Sequence, residues 1–315
     1  MKSVAIRAML VGTLAVGLNP TARADEGGVA FWFSGQYASF AAVPTEPGWS
    51  LPAQGYYYNG GASGSKTLPR GNVATAGLDS SVPLMLIQPT YAPETKLWGG
   101  QLSLGLGFGW GGSNSSADLA ITNTLPEINR TDSITGMTDL YPIASLAWND
   151  GNNNWMTYIT GDIPTGDYNS QRLSNLGIGH GAVDVGGAYT YFDATKGREF
   201  SAVVGVTYNM ENDDTKYQNG IDVHLDWGVS QFLDEHWQIG IVGYLYDQIT
   251  SDKGASPFAD GIKSSIAAVG PEIGYSFTMN KQAAYINLRG YWEFAAKHRV
   301  EGASAFVTLS LPIGG

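Results

Sequence analysis

The chain has 315 residues, 17 Lys+Arg against 28 Asp+Glu, 42 Gly, 17 Tyr, 9 Trp and no Cys, and only 14% of it is charged. Soluble domains average about 25% charged residues, so the composition does not suit an ordinary cytosolic surface. A net charge of -11 argues against nucleic acid as a partner, because phosphate binding needs clustered Lys and Arg, and the absence of Cys excludes thiol nucleophiles, disulfide frameworks, iron–sulfur clusters and Cys-ligated zinc.

Residues 1–24 read as a signal peptide. Lys2 and Arg7 give a positive start, Ala8 to Leu18 an apolar run, and Ala22-Arg23-Ala24 the small-x-small triplet at which a signal peptidase cuts. A helix buried in a core is the alternative. Removal of this segment takes away three positive charges, Lys2, Arg7 and Arg23, and changes the net charge from -11 to -14.

Residues 25–48 read as an N-terminal plug-like segment. Phe31, Trp32, Phe33, Tyr37 and Phe40 alternate with small residues, and Pro44 and Pro47 stop any regular element. Phe33, Tyr37 and Phe40 would share a helical face. An aromatic stretch left in the periplasm would expose apolar area. It is therefore expected in the mouth or lumen of the β-structure that follows, with a further strand or a mobile tail as alternatives.

Nothing after Ala24 approaches the roughly 18 to 20 apolar residues of a membrane-spanning helix. Residues 49–315 instead alternate with a period of two, which places successive side chains on opposite faces of a strand. In Glu199 to Met210, the residues Phe200, Ala202, Val204, Val206, Tyr208 and Met210 share one face. Ile221, Val223, Leu225, Trp227 and Val229 oppose Asp222, His224, Asp226, Gly228 and Ser230; Ala284 to Phe294 repeats the pattern. Twelve such segments are predicted, at 49–58, 82–92, 97–110, 137–149, 153–163, 183–193, 198–210, 220–232, 236–249, 263–278, 282–295 and 303–313. They exceed the usual five or six residues of a strand and suit tilted strands that cross a bilayer. Short connections alternate with long ones (59–81, 111–136, 164–182, 211–219, 250–262), as short periplasmic turns alternate with outer loops. Trp98, Trp148, Trp155 and Trp237 gather at one end and Trp110 at the other, as aromatic girdles do. The fold class is all-β, an antiparallel up-and-down transmembrane barrel in contact with outer-membrane lipid. A soluble β-sandwich with buried Trp is the competing reading.

Several blocks resemble one family. Gly27-Gly28-Val29 through Phe40, Pro47-Gly48-Trp49-Ser50-Leu51, Asn154-Trp155-Met156-Thr157-Tyr158 with Thr160-Gly161-Asp162-Ile163-Pro164, Asn175-Leu176-Gly177-Ile178-Gly179-His180-Gly181-Ala182, Tyr217-Gln218-Asn219-Gly220-Ile221-Asp222 and Gly290-Tyr291-Trp292-Glu293-Phe294 are similar to the meta-pathway phenol-degradation family of outer-membrane proteins. The resemblance implies a barrel that helps small hydrophobic, often aromatic, compounds cross the outer membrane, with no catalytic residues and no cofactor. The final strand alternates correctly but ends in Gly314-Gly315 instead of an aromatic residue, which leaves the barrel-insertion machinery as a partner without its usual signal.

Parity assigns Asp139, Tyr141, Tyr158, Asp162, Asp184, Phe192, Glu199, Asp222, His224, Asp226, Glu272, Arg289 and Glu293 to the lumen. Eight acids then accompany one Arg and one His, since carboxylates on the lipid face are costly. Arg289 could brace the lumen by pairing with Glu272 or Glu293, or the acids could favour cations. The tyrosines and Phe192 could stack on a flat substrate or fill space against the N-terminal segment. Catalysis would need a hydroxyl nucleophile beside His224, yet Ser230 lies six residues away on the same strand, about 20 Å. His180, His236 and His298 are scattered, which gives no metal site. The order of expectation is passive uptake channel, then cation-leaning pore or structural barrel, then surface lipid hydrolase.

Overall fold

A computed structural model describes residues 29–70, 73–119, 128–254, 263–279 and 282–313. The expected signal peptide, residues 25–28 of the N-terminal segment, and Gly314-Gly315 lie outside the described residues. The described residues contain sixteen strands and no helix: β1 (Gly48–Arg70), β2 (Val73–Ile87), β3 (Thr90–Ala92), β4 (Gln101–Leu119), β5 (Ile128–Met137), β6 (Tyr141–Asp150), β7 (Asn153–Asp162), β8 (Ala182–Asp193), β9 (Arg198–Asn209), β10 (Tyr217–Gln218), β11 (Asp222–Phe232), β12 (Trp237–Gln248), β13 (Lys253–Gly254), β14 (Ser265–Met279), β15 (Gln282–Lys297) and β16 (Glu301–Ile313). Except for β10 and β13, which pair outside the barrel, they form one antiparallel sheet that closes when β16 returns to β1. Because β2 is continued by β3, and β5 by β6, the wall is a twelve-stranded barrel.

Closure satisfies the backbone. The seam runs in unbroken register from Trp49↔Ile313 to Gly61↔Glu301, so the sheet has no edge to present unpaired N–H and C=O groups to hydrocarbon. The two interruptions follow from local sequence. Gln88-Pro89 separates β2 from β3, because Pro89 has no N–H for the ladder; the Leu106 N–H still reaches the Pro89 carbonyl at 3.1 Å. Thr138 to Leu140 separates β5 from β6, and there the Thr138 hydroxyl accepts the Gly109 N–H at 2.8 Å.

Two expected outer loops are instead strand. The described parts of 59–81 and 111–136 (59–70, 73–81, 111–119 and 128–136) extend β1, β2, β4 and β5 in paired ladders. Gly, Ser and Thr dominate them, so they lack the greasy alternation by which a bilayer strand is read. A ladder needs only backbone partners, and above the lipid no apolar face is required.

Outward residues form an exposed apolar belt that includes Phe200, Val204, Val206, Tyr208, Ile239, Ile241, Leu245, Ile273, Leu288 and Val307. Trp49, Trp98, Trp155 and Trp237 are exposed at the end with short turns; Trp110 and Met137, register partners, mark the other. Val204 lies mid-strand and is 52% exposed. Val204→Arg is expected to destabilise the barrel by about 2–4 kcal/mol in urea titrations from lipid vesicles, the cost of a cation near the bilayer midplane; unchanged stability would contradict a lipid-facing Val204.

Candidate functional site

The lumen is full. Residues 29–47 run through it as turns and bends, with no helix, so Phe33, Tyr37 and Phe40 do not share a helical face. The chain reverses at Gly35, whose φ of +84° suits glycine; a Cβ there would also lie 2.8 Å from the Tyr291 ring. The wall grips this turn from both sides. Asp226 accepts the Gly35 N–H at 2.9 Å and the Tyr37 N–H at 3.3 Å, while Arg289 donates to the Gly35 and Gln36 carbonyls at 3.1 and 2.6 Å and Tyr291 to Gly35 at 3.0 Å. Arg289 also donates to Asn287 and lies over the Phe306 ring. Its hydrogen bonds go to these groups and not to Glu272 or Glu293, which corrects the expected pairing. Free backbone carbonyls in a non-helical segment need donors as much as a carboxylate does.

Further along the segment, Glu199 accepts from the Phe40 N–H at 3.1 Å and from Ser39 at 2.9 Å, and the Ala42 N–H reaches the Thr190 hydroxyl at 3.0 Å. The single Ser39 hydroxyl proton lies between Glu199 and Glu272, the latter also held by Asn287 and Gln238. Phe40 meets Phe192, Phe232 and Tyr285 with ring centroids 5.3 to 5.9 Å apart.

Higher in the lumen, Trp32 lies flat on His224 at 3.5 Å and near Tyr158 at 5.9 Å. Strand register explains the ledge beneath it: Tyr158↔Gly186, Gly186↔Gly205 and Gly205↔His224 are successive partners on β7, β8, β9 and β11. The two glycines leave room for the rings at the row's ends. His224 Nε2 is 2.9 Å from Asp184 Oδ2, to which Thr207 also donates at 2.6 Å. Asp222 is held by Tyr246 and Asn209 at 2.7 and 2.8 Å, and Glu293 by Tyr58, Tyr244 and the Gly302 N–H.

Residues 163–181 fold inward across the end with long connections. Leu173, Leu176 and Ile178 are buried, Leu176 in one cluster with Val29 and Phe33, Ile178 with Phe31. Asp139 accepts the Gly166 and Ile178 N–H groups at 2.7 and 2.8 Å. Sequence periodicity gave no warning of this inward course, because a loop has none; Leu173, Leu176 and Ile178 in an otherwise polar stretch were the available signal. At the opposite end a cavity of about 830 Å³ opens, lined by Phe31, Phe33, Tyr37, Phe40, Trp49, Phe108, Tyr141, Phe192, Phe232, Phe277 and Tyr285 among others.

The thirteen lumen residues named from parity thus fall into groups. Asp226, Arg289, Glu199 and Glu272 hold residues 29–47; Asp184, His224 and Tyr158 form the ledge; Asp139 holds the inward loop; Asp222 and Glu293 tie strands together; Phe192 and Tyr141 line the cavity; and Asp162 accepts no hydrogen bond. Among the described residues no group of three or more His, Cys, Asp or Glu is arranged to hold a metal ion.

A family model described as "Putative MetA-pathway of phenol degradation" matches residues 61–309. No curated protein matches the chain in sequence. Among solved structures the chain is similar to an outer-membrane channel from Pseudomonas putida F1, with 12% identity, 87% of this chain and 98% of that chain covered, and a TM-score of 0.69. It is less similar to the transport unit of the autotransporter AIDA-I from Escherichia coli (8% identity, 92% and 95% covered, TM-score 0.48), and to the CymD monoaromatic hydrocarbon channel (8%, 95% and 99%, 0.42).

Two outcomes follow from this geometry. A Cβ on Gly205 would lie 2.3 Å from the Tyr158 hydroxyl and 2.5 Å from the His224 ring; Gly205→Ala is expected to lift Trp32 and raise hydrogen exchange at the Gly35, Tyr37 and Ala42 amides at least tenfold, and unchanged protection would deny the ledge its role. The second concerns Asp132, on β5 beyond the Trp110–Met137 level. It binds Arg172 at 2.9 Å and the Leu173 and Ser174 N–H groups at 2.9 and 3.2 Å. Burial pushes its carboxyl up, but Arg172 and the two N–H groups outweigh this and hold it below the ordinary 3.8. A lowered carboxyl stabilises the folded loop above its ordinary value, and that contribution is lost as pH falls through the lowered one. Protection of the residue 172–174 amides, taken relative to the intrinsic exchange rate at each pH, should therefore stay flat from pH 7 to about 5 and fall only at pH below 3.8; loss of protection near pH 6 would contradict the assignment.

Proposed function

Because the chain belongs to the MetA-pathway phenol-degradation family, whose model spans residues 61–309, we propose that this outer-membrane barrel is a channel assisting passive uptake of small hydrophobic compounds, aromatic ones included. The observation that carries the reading is the aromatic-lined cavity of about 830 Å³ inside a wall whose outer face is itself apolar. Ligand pockets commonly span about 300–1,000 Å³ with mostly apolar linings and a few placed polar groups, and burying a group the size of an aromatic side chain yields roughly 1.5–3 kcal/mol. That is enough to draw a hydrophobe from water without holding it for long.

In this reading residues 1–24 direct export and are removed, residues 25–48 act as a plug, residues 49–315 form the barrel, and the barrel-insertion machinery places it. Passage requires residues 29–47 and the inward loop 163–181 to yield. Several acids that parity assigned to the lumen already accept hydrogen bonds from the plug or the loop, which supports a closed resting state over a standing cation pore. An enzyme is disfavoured by the same bonds. Thr207 gives its proton to Asp184, Ser230 donates to Glu199 and accepts from Gln238, and His224 Nδ1 faces no hydrogen-bonding group.

The test is flux. Purified protein in liposomes should speed toluene entry to an enclosed reporter several-fold over protein-free vesicles, and deletion of the gene should slow growth on limiting aromatic vapour. No change with any tested hydrophobe, in vesicles or in cells, sinks the proposal.

A further inference from the structure

Asp162 stands apart from the other lumen acids. It is 6% exposed, yet neither carboxylate oxygen has a hydrogen-bond partner. Register places it in a small polar group. Ile143↔Thr160 and Leu140↔Ile163 are partners across β6 and β7, so Tyr141 lies directly opposite Asp162, and on the other side Asp162 pairs with Ala182, two residues from His180. The Tyr141 hydroxyl and His180 Nε2 are likewise buried without partners. Asp139, the next acid, is already occupied by the Gly166 and Ile178 N–H groups. Tyr141 and Asp162 are register neighbours, and His180 lies two residues before Ala182, the partner of Asp162; leaving three such buried polar groups unpaired is costly.

The donor and acceptor count defines what would complete them. His180 Nδ1 lies 3.0 Å from the Gly181 carbonyl, an acceptor only, so this nitrogen carries the proton and Nε2 presents a lone pair. With Asp162 ionised the group offers three acceptors, the two Asp162 oxygens and His180 Nε2, against a single donor, the Tyr141 hydroxyl; a guest that displaces the proton which burial favours on the empty carboxyl must bring several N–H donors and a positive charge. Tyr141 and Thr160 line the cavity, whose walls also carry Gln36, Gln54, Gln88 and Arg289; Asp162, their neighbour in register, lies just behind that lining, and Phe31 and Phe33 flank Tyr141 with ring centroids at 6.1 and 6.3 Å. Aromatic faces also favour a cation.

We propose that Asp162, Tyr141 and His180 form a binding site for the ammonium group of small hydrophobic amines, whose apolar part occupies the aromatic cavity. This rests on the channel reading and adds a substrate class to it: hydrophobes that carry a protonated primary amine are held at the inner end of the passage before it opens.

The experiment compares three probes of one size, benzylamine, benzyl alcohol and toluene, binding to the purified full chain in detergent at pH 7, with the wild type and with Asp162→Asn and Tyr141→Phe. Benzylamine should bind the wild type at least tenfold more tightly than toluene. Asp162→Asn should bring that ratio within about twofold and leave toluene affinity intact, which shows that the variant is folded; Tyr141→Phe should lower the ratio by a smaller factor. The proposal is overturned if benzylamine binds no better than toluene, if benzyl alcohol matches benzylamine, or if the ratio survives Asp162→Asn. Loss of the toluene flux described above would sink the channel reading instead, so the two failures are distinguishable.

Discussion

A chain in hydrocarbon must satisfy every backbone N–H and C=O within itself, and the β16–β1 seam is where this protein meets that demand. Once the sheet is closed, side-chain parity has two destinations only, lipid outside and lumen inside. The apolar belt follows on one face, and on the other a shell of carboxylates, hydroxyls and amides that no lipid could solvate. Closure therefore creates the second problem that the molecule solves, a narrow interior rich in acids and poor in cations.

Residues 29–47 are much of the solution. An irregular backbone brings N–H groups and carbonyls with no intrasegment partners, and the wall supplies their complements. Asp226 and Glu199 accept N–H groups, and Arg289 and Tyr291 donate to carbonyls. Acids that would repel one another in an empty pore become the acceptors of a packed one. The same exchange recurs at the outer end, where Asp139 and Asp132 hold the backbone of the inward loop. A lumen filled in this way leaves aromatic space at the end with short turns, and that asymmetry is what a route for hydrophobes would use.

The acids do different work despite identical parity. Asp226 and Asp162 are both inward-facing and buried, but the first is saturated by the N-terminal turn and the second by nothing. Arg289 shows the converse. As an inward Arg it invites pairing with Glu272, its register partner on β14, yet two carbonyls and an amide take its protons.

The sequence alone determined the barrel, because dyad alternation over segments long enough to cross a bilayer admits few other homes for Phe200, Val204 and Val206 on one face and Glu199 on the other. Parity also assigned residues to the lumen, since that is counting. The sequence did not reveal the hairpin extensions within 59–81 and 111–136, where Gly, Ser and Thr carry no apolar alternation although the ladder continues. Tertiary structure decided everything that depends on what meets across the lumen: that Trp32 rests on His224 over Gly186 and Gly205, that loop 163–181 turns inward, and that Asp162 is left without a partner. Parity is a property of one strand, readable residue by residue, whereas a lumen contact joins groups up to 256 residues apart, as Tyr291 and Gly35 are, and only the closed cylinder brings them within reach.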